Sequence, residues 1–225
     1  MSATYLDVLE RMKEERFRLC LSQDEMSRCI RIDQSNYSKV ELGTRRLKFA
    51  EMKCLCEAPV DVHYIFTGQR AGQEYRELFA GCSYEALINV LGILMAVEAA
   101  SYSMDVSVCW KDIYVSIEEL CSRGKLYKEG MSTISMVRRL NRYQQQEVAQ
   151  KLGVDVKKYR GLENGRKLPD SELVWELYHL FYIPPAIILK DRSCLISEIC
   201  YALENLEGKI RERVIELIRA MDVIE

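Results

Sequence analysis

Apolar residues along the first 70 positions recur every three or four residues, the spacing of amphipathic helices rather than strands. Leu6, Leu9 and Met12 predict a first helix over about 4–18. Ser22 with Glu25 three positions later has the form of a capping box, which opens a second helix at Gln23 running to about Cys29. After a short turn through Arg31 and Ile32, the Asp33 carboxylate can cap a third helix that ends near Glu41. Gly43 then supplies the left-handed residue that stops it. A fourth helix is expected over about 47–57, and Pro59 with Asp61 starts a short fifth one ending at Gly68.

The same pattern returns 122 positions later. At that offset Arg16 matches Arg138, Gln23 matches Gln145, Glu25 matches Glu147 and Asp33 matches Asp155. Tyr37 matches Tyr159, Glu41 matches Glu163 and Gly43 matches Gly165, while Leu55 with Leu177 and Ile65 with Ile187 extend the match without a gap. A fixed spacing over such selective matches marks an internal duplication. The second copy has Ala149 and Gly153 where the first has Ser27 and Arg31, so its turn carries the smaller residues.

Five helices with a tight turn between the second and third resemble the phage repressor and Cro type of helix-turn-helix, the XRE family. The resemblance covers residues 5–68 and 131–190. It implies an all-α chain with two five-helix, lambda-repressor-like domains. The expected division is 1–69, a helical connector over 70–130, a second helix-turn-helix over 131–191, and a C-terminal amphipathic segment over 192–225. In that family the third helix enters the major groove while the second crosses the backbone.

Carried over position by position, the resemblance implies base contacts from Gln34, Ser35, Asn36, Ser38 and Lys39 in the first copy. Amides suit adenine edges, and lysine reaches guanine O6 and N7. Phosphate contacts fall to Gln23, Thr44, Arg45, Arg46 and Lys48. Arg16 with Glu41, and Arg138 with Glu163, take the place of a buried ion pair joining the first helix to the third. Tyr37 faces inward. In the second copy Lys157, Lys158 and Arg160 replace the amide and hydroxyl set, and suit either guanine edges or phosphates. Gln145, Arg166 and Lys167 form the corresponding phosphate set. Gly161 stands where the first copy has Lys39 and offers no side chain to a base. The two copies should therefore prefer different half-sites.

Between the copies, Tyr84, Leu87, Ile88, Leu91, Leu94 and Met95 form an apolar stripe that continues to Ala100, and a second amphipathic helix is expected over Trp110–Cys121. In the tail, Ile199, Leu203, Leu206 and Ile210, then Val214, Leu217, Met221 and Ile224, repeat at helical steps, with Gly208 interrupting. Either apolar region, 83–100 or 193–222, can seat a second copy of the chain or fold into an intramolecular hairpin.

Charge sharpens this division. The net charge of the whole chain is −2. It is +1 over residues 1–70, −4 over 71–125, +4 over 126–190 and −3 over 191–225. The repeats hold the positive charge and the other segments are acidic, which fits two DNA-facing units joined by parts that face elsewhere. Nine cysteines, an odd number lying mostly on apolar faces, read as buried thiols rather than a disulfide framework. His63 and His179 fall at non-equivalent points of the repeats and read as packing residues. Nothing has the spacing of a metal site, a phosphate-cradling glycine loop or a nucleophile elbow, so no cofactor and no catalysis are expected. No run reaches the roughly 20 apolar residues of a membrane span, and the start of the chain lacks a signal-peptide pattern. A cytoplasmic regulator bound to double-stranded DNA is the leading expectation. The alternative is an antitoxin-like interaction protein in which one copy, foremost the second, binds protein.

Overall fold

The computed structural model describes residues 4–101, 132–140, 142–181 and 183–220, and every regular element among them is helical. The helix expected over Trp110–Cys121 lies outside the described residues. The helices are α1 (Tyr5–Arg18), α2 (Gln23–Cys29), α3 (Gln34–Glu41), α4 (Phe49–Glu57) and α5 (Val62–Thr67). A 3-10 turn, Glu77–Phe79, precedes α6 (Tyr84–Ser101). Then follow α7 (Thr133–Leu140), α8 (Gln145–Lys151), α9 (Val156–Glu163), α10 (Ser171–Phe181), α11 (Pro185–Leu189), α12 (Arg192–Asn205) and α13 (Gly208–Ala220). No described helix is long and apolar enough to cross a membrane.

The helix starts form as their residues dictate. The Glu25 amide donates to Ser22 Oγ at 3.2 Å, and the Glu25 carboxylate accepts from the Ser22 amide at 2.8 Å. Asp33 accepts from the Asn36 amide at 2.8 Å, Asp155 from the Lys158 amide at 2.7 Å, and Asp61 from the Tyr64 amide at 3.0 Å. Each satisfies a donor that the first turn of a helix leaves orphaned.

The backbone also carries the duplication. Eight described residues have positive φ, and they form four pairs 122 positions apart: Cys20 with Arg142, Arg31 with Gly153, Gly43 with Gly165, and Gly68 with Lys190. At the turn between the second and third helices, φ is 59° at Arg31 and 60° at Gly153. Only glycine enters that region without strain. The first copy therefore holds an arginine in a conformation for which the second copy has the suitable residue. Ser27 and Ala149, both buried, accept the same return bond across that turn, from Ile32 at 3.0 Å and Val154 at 2.9 Å.

Two compact units result. The first comprises Met1–Ala71 and Leu168–Glu198, and the second comprises Gly72–Lys167 and Ile199–Glu225. These boundaries differ from a division into 1–69, 70–130, 131–191 and 192–225. The segment carrying α10 and α11, read from sequence as the end of the second copy, folds into the same unit as the first copy.

In the first unit α1 packs on α3 and α5, α2 on α3 and α4, α10 on α1, and α11 on α4 and α5. Val8, Leu9, Met12, Met26, Tyr37, Met52, Leu55, Ile65, Val174 and Leu177 are buried in it. Leu6, expected in the α1 stripe, is 64% exposed, and Tyr5 turns inward in its place. The Tyr5 hydroxyl lies 2.5 Å from Ser171 Oγ, which also accepts from the Leu47 amide at 3.1 Å, and burial pushes the phenol up to about 12. Glu15 is a second anchor: wholly buried, it accepts from Arg18, from Arg70 at 2.6 Å and from the Asp61 amide at 2.8 Å. Gly68 closes α5 where an added Cβ would meet the Arg11 guanidinium at 2.8 Å. His63 is buried with Nδ1 2.8 Å from a Glu198 carboxylate oxygen, whereas His179 is exposed and its ring lies tilted against Trp175, centroids 4.1 Å apart.

In the second unit α9 packs on α7 and α8. Leu87, Val90, Leu91 and Leu94 of α6 are buried, as are Ile199, Leu203, Val214 and Ile218 of α12 and α13. The tail is two helices rather than one interrupted helix, and Gly208 opens the second of them. Leu217, expected on the seam, is 48% exposed and Ile218 is buried instead, because the break at 206–207 resets the helical phase. Along that stripe Ile199, Leu203 and Val214 are buried, Leu206 and Ile210 are half-buried and Leu217 is exposed. Of the described cysteines Cys82, Cys194 and Cys200 are buried, Cys29, Cys54 and Cys56 half-buried and Cys20 exposed, and none forms a disulfide.

Candidate nucleic-acid interface

A polar network at the base of α3 appears in duplicate. Arg16 Nε donates to Glu41 at 2.7 Å, Arg16 Nη1 to the Leu21 carbonyl at 3.0 Å, and Gln23 Nε2 to Glu41 at 2.7 Å. In the second copy Arg138 donates to Glu163 and, at 2.8 Å, to the Tyr143 carbonyl, while Gln145 Nε2 donates to Glu163. Every partner is displaced by the same 122 positions. Burial alone would raise the Glu41 carboxyl, but hydrogen bonds from Arg16 and Gln23 outweigh it and hold the group below its ordinary value. Tyr37 and Tyr159 are fully buried beside these pairs, and burial pushes both phenols well up. The network ties α1 to α3, and α7 to α9, leaving the opposite faces of α3 and α9 outward.

On α3, Gln34, Ser35 and Lys39 are exposed and Ser38 is half-buried. Asn36 is half-buried and its amide donates to its own cap, Asp33, so it is committed locally. On α9, Lys157 and Arg160 are exposed and Lys158 is half-buried. Arg160 Nε donates to Gln145 Oε1 at 3.0 Å, which orients the guanidinium beside the start of α8. A concave polar site of about 350 Å³ opens there, lined by Arg138, Tyr143, Gln144, Gln145, Val156 and Arg160 among others.

The residues matched to phosphate contacts divide sharply. Lys48, Arg166 and Lys167 are exposed. Gln23 and Gln145 use their amides on Glu41 and Glu163. Thr44 is exposed but donates its hydroxyl to the Lys39 carbonyl at 3.1 Å. Arg45 grips Glu51 through two bonds of 2.9 and 2.5 Å. Arg46 grips Glu172 at 2.7 and 2.9 Å, donates to the Gly43 carbonyl and lies 4.6 Å over the Tyr5 ring. Within this basic run, carboxylates from α4 and α10 already reach Arg45 and Arg46.

Glu15, Glu51 and Glu172 went unnoticed at the level of sequence. Glu51 had a readable signal, three residues past the Lys48 cap, where it accepts from the Lys48 amide at 2.8 Å. Glu172 had none, since its partner lies 126 positions away. No group of His, Cys, Asp and Glu side chains suited to a metal ion occurs among the described residues. Comparison with protein-family models, with curated proteins and with solved structures yields no match to the chain.

Proposed function

We propose that this chain is a cytoplasmic DNA-binding transcriptional regulator of the repressor and Cro helix-turn-helix type, most simply a repressor, that reads the major groove with α3 and α9. The observation that carries this reading is the duplicated network of Arg16, Gln23 and Glu41, with its copy Arg138, Gln145 and Glu163. Each copy turns a short helix so that its polar face is outward while its tyrosine is buried. Gln34, Ser35 and Lys39, and Lys157 and Arg160, stand exposed on these faces. Such faces suit base edges, and the exposed Lys48 and Arg166 suit flanking phosphates. The role is non-catalytic.

The antitoxin-like alternative attaches to the second copy, where Val156 and Gly161 replace Gln34 and Lys39. Fluorescence-anisotropy titration of the full chain and of a Lys157→Ala/Arg160→Ala variant against random duplexes, over a range of salt, separates the two. Phosphate neutralisation gives a log–log salt slope near −0.9 per contact. A shallower slope in the variant supports DNA binding by the second copy, and an unchanged slope removes Lys157 and Arg160 as DNA contacts, as the alternative expects. A full chain that binds no duplex refutes the regulator.

A further inference from the structure

The two copies differ at one pair of positions in a compensating way. In the first copy Lys39 stands on α3, and the Arg45 amide donates back to the Lys39 carbonyl at 3.2 Å. The Arg45 side chain then swings to Glu51. In the second copy the same backbone bond forms, from the Lys167 amide to the Gly161 carbonyl at 2.9 Å, so residue 167 leaves from the same place relative to its helix. Its side chain goes elsewhere. A Cβ added at Gly161 would stand 3.0 Å from Lys167 Cγ, 3.1 Å from Cδ and 3.5 Å from Cβ. The lysine stem thus lies over the spot from which a residue-161 side chain would emerge. The position matching Glu51 is Leu173, which has no carboxylate to draw the cation aside. Lys167 is exposed, and positions 157, 160 and 161 share one helical face.

We infer that Lys167, carried across Gly161, supplies the base contact that Lys39 makes from within the helix in the first copy, and that its target is a guanine. The assignment rests on the DNA-binding reading above. Gly161 is then not a lost reader but the gap that admits one: a side chain at 161 would need the space the Lys167 stem fills. Guanine follows from chemistry, because an ammonium only donates, and O6 and N7 of guanine present two adjacent acceptors in the major groove.

The test uses the full chain and a duplex selected from a random library. Lys167→Met keeps most of the stem and removes the charge. It should bind the selected duplex about tenfold more weakly while binding random duplexes nearly as well as the parent chain. Replacing the contacted guanine with 7-deazaguanine, which lacks the N7 acceptor, should weaken the parent chain but not the variant. Moving the cation back into the helix, as Gly161→Lys with Lys167→Ala, should recover most of the loss. Circular dichroism checks that each variant is folded, and a nuclear Overhauser contact between the Lys167 methylenes and the Gly161 α-protons reports the stem without DNA. Equal losses on selected and random duplexes make Lys167 a phosphate contact and overturn the inference, as does a missing Overhauser contact. A parent chain that binds no duplex overturns both readings, whereas one that binds while Lys167→Met binds equally well overturns this one alone.

Discussion

Glu41→Ala gives the most direct measure of what the duplicated network does. Arg16 and Glu41 expose only 9% and 5% of their side chains, so the substitution strands a guanidinium in a site that water barely reaches. Breaking a buried pair from one side costs about 3–5 kcal/mol. Arg16 keeps its bond to the Leu21 carbonyl at 3.0 Å, which offsets part of the loss, and Gln23 is half-buried, so water can replace its acceptor. The expected cost is therefore about 3 kcal/mol, at the low end of that range. Replacing both partners, as Arg16→Met with Glu41→Leu, removes the uncompensated charge and should return stability to within about 1 kcal/mol of the parent. Urea denaturation followed by far-UV circular dichroism measures both, with separate transitions fitted for the two units if they unfold apart. A single substitution costing under about 1 kcal/mol, or a double variant no more stable than the single, would show that the pair is not electrostatically buried as described.

Four further outcomes follow from particular contacts. Arg31→Gly should raise stability by up to about 1 kcal/mol, since it relieves a left-handed arginine and gives up only an exposed pair with Glu57; a drop on thermal denaturation would count against the strain. Gly153→Arg, the mirror change, should destabilise the second copy. Ser171→Ala leaves the Leu47 amide and the Tyr5 hydroxyl without their buried partner, a loss of about 1–3 kcal/mol by urea titration; no measurable change would disconnect α10 from α1. Acid should act through Glu15, Glu41 and Glu51, whose folded carboxyls are held below the ordinary value of 4.5: burial opposes this in each, and hydrogen bonds from Arg18, Arg16 and Arg45 outweigh it. Their contribution is full above the unfolded value and is lost as pH falls through the folded ones. Melting temperatures should accordingly decline below about pH 4.5, and a flat profile from pH 5 to 3 would contradict the linkage.

Much of the fold was legible because helix starts and stops depend on residues a few positions apart. Ser22 with Glu25, and Asp33 with the Asn36 amide, act within one turn of chain, so their spacing is enough to place the starts of α2 and α3. Arg16 with Glu41 was legible through the resemblance to the repressor and Cro type, which the reappearance of the pair as Arg138 with Glu163 supported. In the basic run 44–48, composition cannot show which arginines meet a carboxylate. Arg45 has Glu51 six residues on, and Arg46 has Glu172 on a distant helix.

By itself, the amino-acid order determined the helices, the two copies and the left-handed turns that separate them, since these arise from interactions within a few residues of chain. Tertiary structure alone decided that α10 and α11 join the first unit rather than completing the second copy, and that Ile218 rather than Leu217 is buried in the tail. Hydrophobic burial is non-directional, so an apolar helix face records that it must be covered and not by what. The choice of cover is made by long-range contacts such as Tyr5 with Ser171 and Arg46 with Glu172, which no local pattern announces.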